Sequence, residues 1–202
     1  MTRRGCMKGC SGETHRLSAR TSRFMLRSMA SPYFTTRRLA ARRLSADDFA
    51  AFRAIHTDPL TMQTVSVDGS ILTEEASRAI FDRHLKHWDK HDFGLWLLSR
   101  KASGKSVGYC GLRWMTLRGV PEVELFFGLH SQFFRQGLGT EIAQAVLTVG
   151  FTEIRAPSVI GFTLSTNRAS RALMTKLGMT YEGPMEHAGL PHQLYRLTAS
   201  TL

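Results

Sequence analysis

Leu125-Phe126-Phe127-Gly128-Leu129, followed by His130 to Phe134 and then by Arg135-Gln136-Gly137-Leu138-Gly139-Thr140-Glu141, is the stretch that decides the fold. An apolar strand-like run passes through a glycine-containing turn into a segment with Ile142, Ala145, Val146 and Val149 at helical spacing, so a helix is expected over 137–154. A turn of this kind aims several free backbone N–H groups at one spot, and the helix dipole makes that spot attractive to phosphate. Glycine at 137 and 139 lets an anion reach the backbone with no Cβ in the way, and Arg135 can add a charge-assisted contact. Gly-x-Gly alone is an ordinary glycine turn. A dinucleotide fingerprint would need a third glycine where Ile142 stands, and a Walker loop would need Gly-Lys-Ser/Thr.

Working outward, Thr36 to Leu44 reads as a first strand carrying several arginines. Ser45 reads as an N-cap followed by Asp47 and Asp48, opening a helix through Phe49, Phe52 and Ile55 that stops near Asp58-Pro59. Thr73-Glu74-Glu75 opens a second helix whose apolar face holds Ala76, Ile80, Leu85 and Trp88. Strands are expected over 93–99 and 105–114 around a turn at Ser103-Gly104, and a third over 122–129 after Pro121. Beyond the 137–154 helix, Ser158 to Leu164 is a strand, and Asn167 caps a helix that Gly178 ends. Strands over 179–185 and 193–198 close the chain. The expected order is β-α-α-β-β-β-α-β-α-β-β, a single mixed α/β domain over 33–202.

The chain has 202 residues, 43% hydrophobic and 21% charged, a globular composition with no apolar run of membrane-spanning length. Its formal charge of +11 is uneven: Arg3, Arg4, Lys8, Arg16, Arg20, Arg23 and Arg27 stand against Glu13 alone before Met29, so more than half of the excess lies there. Residues 1–32 read as a basic, disordered tail without a secretory core. A transit peptide, a basic arm for nucleic acid or membrane surfaces, and upstream sequence ahead of a natural start at Met29 all fit. The remaining positive balance suits an anionic ligand and does not single out nucleic acid. Cys6, Cys10 and Cys110 form neither a zinc pattern nor a disulfide framework, as expected of reduced thiols in a cytoplasmic protein.

Several ordered blocks together resemble the GNAT superfamily of N-acetyltransferases, in particular its ribosomal-protein (Rim-type) branch. The loop Phe134-Arg135-Gln136-Gly137-Leu138-Gly139 resembles the family's coenzyme pyrophosphate loop, with an aromatic residue in the first place as that branch usually has. Thr36-Arg37-Arg38-Leu39, Gly108-Tyr109-Cys110-Gly111-Leu112, Glu124-Leu125-Phe126-Phe127-Gly128-Leu129, Asn167-Arg168-Ala169-Ser170 with Leu177-Gly178-Met179, and His192-Gln193-Leu194-Tyr195-Arg196-Leu197 resemble further blocks in the same order. The resemblance implies transfer of an acetyl group from acetyl-CoA to a primary amine by direct attack, without a metal. It implies main-chain coenzyme contacts from Phe127 and Leu129, pyrophosphate contacts from Arg135, Gln136, Gly137, Leu138, Gly139 and Thr140, and an amide contact from Asn167. A plain N-cap role for Asn167 is open beside that one.

The resemblance makes Glu124 the candidate general base, acting through water, with Glu122 as fallback. Alternation puts Glu124 opposite Leu125 and Phe127 and alongside Phe126, and a salt bridge to Arg113 is the competing reading. Many family members carry an acidic tyrosine seven residues after the helix asparagine. That place is Met174 here, and Ser170 is the branch's substitute, either solvating the leaving sulfur or lying on the helix surface. His84, His87 and His91 share a helical stripe without a metal motif and are expected on a solvated face. Trp88, Trp96, His187 and His192 are expected either to line an acceptor pocket or to be core and surface residues. A non-catalytic CoA-binding module is the alternative to an enzyme. The acceptor, a peptide N-terminus or a small metabolite, is left open, as is a homodimer.

Overall fold

The computed structural model describes residues 30–66 and 69–199. The segment 1–29, where most of the basic tail was expected, lies outside the described residues. Ala30 is buried, its N–H bonds the Asp92 carbonyl at 3.0 Å, and the Trp96 indole donates to the Ser31 carbonyl at 3.0 Å. Residues 30–32 therefore pack with the domain, just ahead of the expected start at Tyr33.

The elements are β1 (Tyr33–Thr35), β2 (Leu39–Arg43), α1 (Phe49–His56), α2 (Pro59–Val65), α3 (Glu74–His91), β3 (Leu95–Arg100), β4 (Ser106–Leu117), β5 (Val120–Leu129), α4 (Leu138–Thr152), β6 (Ser158–Leu164), α5 (Arg168–Lys176), β7 (Thr180–His187) and β8 (Leu190–Thr198). Two departures from expectation have local causes. The strand expected over 36–44 starts later, as β2, and β1 pairs with it from before residue 36, because the chain turns at 36–39: the Thr36 N–H bonds the Leu39 carbonyl at 2.9 Å and the Leu39 N–H bonds the Thr36 hydroxyl at 3.1 Å. Pro59 does end α1's run, but it also opens α2 as a first-turn residue, with Asp58 Oδ1 accepting from the N–H groups of Leu60 and Thr61.

Among the described residues eight strands form one sheet in the order β1-β2-β3-β4-β5-β6-β8-β7. Every neighbouring pair is antiparallel except β5 and β6. Pro121 lies inside β5, opposite Thr116, rather than before it. The His130 N–H bonds the Val107 carbonyl, so in this register even-numbered β5 residues hydrogen-bond to β4 and odd-numbered ones turn the other way. Proline's missing N–H is thus never asked of the β4 ladder.

The side-chain alternation splits the sheet into two faces. Leu95, Leu97 and Tyr109 pack with Phe52 and Ile55 of α1 and Phe81 of α3, with Phe126 against them. Leu112, Val123, Leu125 and Val159 pack on the other face with Ile142, Val146 and Val149 of α4, and Met174 of α5 joins them. Burying such side chains contributes roughly 1.5–3 kcal/mol each. This arrangement puts the α4 N-terminus on one face and a set of polar and aromatic groups on the other.

Candidate active site

β5 and β6 register at just two pairs, Val123 with Val159 and Glu124 with Ile160, although the strands run on to Leu129 and Leu164. Beyond Glu124 they part. The register on β4 fixes what faces the opening: the backbone groups of Phe127 and Leu129 point away from β4, towards the space β6 has left. Backbone polar groups need partners. The Leu129 carbonyl finds one in the Thr61 hydroxyl of α2, at 2.8 Å.

At the end of β5 the chain turns through Arg135 (φ 59°) and Gly137 (φ 72°), both in the left-handed region. α4 starts at Leu138 with no side chain among the described residues capping it, which leaves the first-turn N–H groups after Gly137 available to a ligand. A Cβ at Gly137 would meet nothing nearer than the Arg38 guanidinium at 3.5 Å, so it is the left-handed backbone rather than crowding that favours glycine there. Gly139 differs, because a Cβ there would press on Leu173 at 3.0 Å; it lets α4 and α5 approach.

Arg38 fastens this loop. Its Nε donates to Glu141 Oε2 at 2.6 Å, its backbone N–H to Oε1 at 2.8 Å, and its Nη1 to the Gln136 carbonyl at 2.8 Å. Thr36 Oγ1 adds a hydrogen bond to the same Glu141 carboxylate at 2.5 Å, and Arg100 Nη2 donates to Gln136 Oε1 at 2.7 Å. Burial opposes the charge on Glu141, but the bonds from Thr36 and Arg38 hold its carboxyl below the usual range. From sequence alone Arg38 carries no assigned role and Arg100 no signal. Arg38's place in Thr36-Arg37-Arg38-Leu39 and Glu141's in the first helical turn were the available signals.

Asn167 caps α5, accepting from the Ser170 N–H at 3.0 Å, while its Nδ2 donates to the Thr64 carbonyl of α2 at 2.9 Å. Ser170 is half-buried one turn into that helix. α2 thus links the β5 end, through Thr61, to the α5 start. Asp58 adds a bond from the Ser131 N–H at 2.7 Å.

The opposite face carries the carboxylates. Glu124 is 3% exposed, and Arg113, directly across on β4, closes both its oxygens at 2.7 and 3.0 Å. Glu122 is held the same way by Arg196, at 2.9 and 2.8 Å, and Arg196 also donates to Glu182 and Ser158. Around Glu124 stand two aromatic flanks. On β5, Phe126 is stacked by His84 at 4.9 Å with the Arg113 guanidinium 5.1 Å from its ring. On β6, Phe162 meets His187 at 4.7 Å and His192 at 5.4 Å.

The histidine stripe on α3 is not the solvated face expected of it. His84 is 6% exposed, and burial pushes its proton affinity down, to a pKa of about 3, with Arg113 assisting. His87 spans α3 and the sheet: its Nδ1 meets the Phe93 carbonyl at 2.8 Å while Nε2 accepts the Trp114 N–H at 3.0 Å, which fixes the neutral Nδ1–H form. The charged neighbours Lys86, Lys90 and Asp89 were read correctly as a polar face, but 84 and 87 point to the sheet. Among the described residues no three His, Cys, Asp or Glu side chains gather as a metal-holding group. Trp88 and Trp96 are buried, their indoles bonded to the Leu95 and Ser31 carbonyls. Cys110 is fully buried with its thiol pKa pushed up, which removes it as a nucleophile.

The comparisons with known proteins agree with this layout. An acetyltransferase from Agrobacterium tumefaciens superposes with a TM-score of 0.71 at 23% identity, over 84% of this chain and 95% of that one. A GNAT-family acetyltransferase from Bacillus anthracis gives 0.67 at 21% identity, over 83% and 99%. RimJ of Mycobacterium smegmatis, solved in complex with CoA-disulfide, gives 0.67 at 17% identity, over 87% and 90%. The family described as Acetyltransferase (GNAT) domain matches residues 38–180, and the chain belongs to that family, whose co-substrate is acetyl-CoA.

Proposed function

We propose that this chain is an N-acetyltransferase of the Rim-type branch, which moves the acetyl group of acetyl-CoA onto a primary amine by direct attack. The observation that carries this reading is the parting of β5 from β6 beside an uncapped α4 N-terminus. An extended amide-bearing arm laid along Phe127 and Leu129 would take the place of the missing strand, with the thioester brought to the level of Glu124. The residues from Arg135 to Thr140 would receive the pyrophosphate, on N–H groups that the fold leaves without a cap. Asn167 serves as helix cap and, in this reading, meets the coenzyme arm. Ser170 solvates the departing sulfur, and Glu124 attracts the incoming ammonium and orders the water through which it deprotonates.

The acceptor follows from the free energy of deprotonation. Only the neutral amine attacks. At pH 7 an α-amino group with a pKa near 8 costs about 1.4 kcal/mol to deprotonate, and a lysine near 10.4 costs about 4.6 kcal/mol. The site's carboxylates are already neutralised by Arg113 and Arg196, which leaves little surplus negative charge for a polycation. We therefore assign the α-amine of a peptide N-terminus or small metabolite as acceptor.

Two measurements test the reading. Saturating CoA should raise the melting temperature, since a ligand bound to the native state alone stabilises it. An acceptor panel at fixed acetyl-CoA should then rank α-amines first in kcat/KM. A melting shift with no CoA release from any amine would leave a non-catalytic CoA-binding module. A lysine side chain or spermidine ahead by tenfold, about 1.4 kcal/mol in the barrier, would overturn the ranking.

A further inference from the structure

The face that receives the amine in this reading has a shortage of open proton acceptors. Both carboxylates close to the parting strands are spent on guanidinium groups, Glu124 on Arg113 and Glu122 on Arg196, each through two oxygens. His84 is buried flat against Phe126, and His192 is buried with Nδ1 on the Leu190 carbonyl at 3.0 Å. His56 is buried with Nε2 on the Tyr109 hydroxyl at 3.2 Å. His130, at the end of β5, is half-buried beside Asp58 and, like His84, makes no side-chain hydrogen bond among the described residues, but the Phe162 flank of the opening is lined by His187. His187 is half-buried at the end of β7, and among the described residues neither of its ring nitrogens has a protein hydrogen-bond partner.

His187 is also in the right place. Its ring lies against Phe162, two residues beyond Ile160, where β6 makes its last pairing with β5. Alternation puts Phe162 on the same face as Glu124, so His187 stands on the β6 flank of the opening, within electrostatic reach of Glu124 and Arg113. We infer that His187 is the proton acceptor for the incoming amine, with Glu124 holding the ammonium beside it. This assignment rests on the amine-acetylating reading above.

The protons balance as follows. The ammonium gives one proton, through the water that Glu124 orders, to an unprotonated His187 nitrogen. The neutral amine attacks the thioester carbonyl, forming the C–N bond, and the C–S bond breaks as the tetrahedral intermediate collapses. The second nitrogen proton ends on the departing thiolate, and His187 returns its proton to water. Four influences face the imidazole. Burial, the largest, lowers its proton affinity; Glu124 on β5 raises it; His192 on β8 and Arg113 on β4 lower it. A site balanced in this way keeps the ring unprotonated at neutral pH and able to accept.

The test uses the full chain with the best α-amine acceptor, comparing His187→Gln and His187→Ala with the native protein from pH 5 to 9. Turnover should fall about 10²-fold or more, and the acid limb of the native kcat profile should disappear. Added imidazole should restore part of the activity in His187→Ala, and the CoA-induced melting shift should match native in both variants. Those last two readouts separate a proton acceptor from a packing residue. Turnover within threefold of native with the acid limb intact would overturn the assignment while leaving the acetyltransferase reading in place. Absence of turnover in the native chain would overturn both.

Discussion

Arg38 and Glu141, 103 positions apart, are joined by a backbone and a side-chain hydrogen bond at once, and the same guanidinium reaches the Gln136 carbonyl. The first hairpin of the sheet thus sets the shape of the turn that opens α4. Both side chains are partly shielded, at 28% and 16% exposure, so solvent screening weakens the pair only in part. Charge-assisted bonds of this kind contribute about 1.5–3 kcal/mol. Glu141→Ala should lower stability by an amount in this range and weaken CoA binding about tenfold, as the Gln136–Gly137 turn loses its fastening. Denaturant midpoints and CoA titration calorimetry, read together, check this. Unchanged affinity in a destabilised variant would mean that the loop holds its own shape.

Acid should unfold the domain through its histidines. Burial lowers the pKa of His56 to about 4, His84 to about 3 and His87 to about 4, against about 6.5 in the unfolded chain. Below pH 6.5 the unfolded chain binds protons that the native one refuses, so stability falls as pH drops from about 6.5 towards 3–4 and is insensitive to these groups above. The summed loss by pH 3–4 is on the order of 10 kcal/mol, comparable to the whole stability of a domain. Urea midpoints at pH 7 and pH 5 measure it, and His84→Leu should flatten the slope in proportion to the one group removed.

The junction from β5 to α4 was legible because its signal is local: an apolar run, two glycines and a helical period within twenty-odd residues. The α3 and α4 spans and the Gly178 stop were legible for the same reason. What sequence could not supply is non-local. Nothing near Thr36 announces that its hydroxyl closes a turn, which is why a strand was expected from 36 where the chain turns ahead of β2. Nothing near Glu141 announces Arg38. The polar neighbours of His84 and His87 suggested solvent, yet the side chains on that stripe meet Phe126 and the Phe93–Trp114 backbone. Family spacing singles out Glu124 as a candidate base; the geometry contains the ion pair with Arg113 of the competing reading, though not the partly exposed edge position that went with it.

The segment before Tyr33 should divide sharply in importance. A chain beginning at Met29 should fold and bind CoA as the full chain does. One beginning at Tyr33 loses the Ala30–Asp92 and Ser31–Glu153 bonds and leaves the fully buried Trp96 indole without its carbonyl. An unsatisfied buried donor costs about 1–3 kcal/mol, so thermal unfolding should separate the two by several degrees. Equal melting temperatures would show that water or a rearranged turn replaces Ser31.

Glu124→Gln distinguishes a carboxylate that receives the proton from one that holds the ammonium beside His187. Either way turnover falls, since the substitution removes the negative charge nearest the parting strands and leaves Arg113 with a weaker partner. The pH profile separates the cases. Were Glu124 the acceptor, the acid limb would vanish with it. With His187 as acceptor, the limb survives and moves to lower pH, because Glu124 is the one group raising the imidazole's proton affinity against burial, His192 and Arg113. The expected outcome is therefore a lower plateau in kcat, a higher KM for the amine, and an acid limb displaced downwards but intact. The measurement is kcat against pH for native, Glu124→Gln and Glu124→Gln/His187→Gln. In the double variant the displaced limb should be gone, whereas a limb already missing in Glu124→Gln alone would return the proton to Glu124.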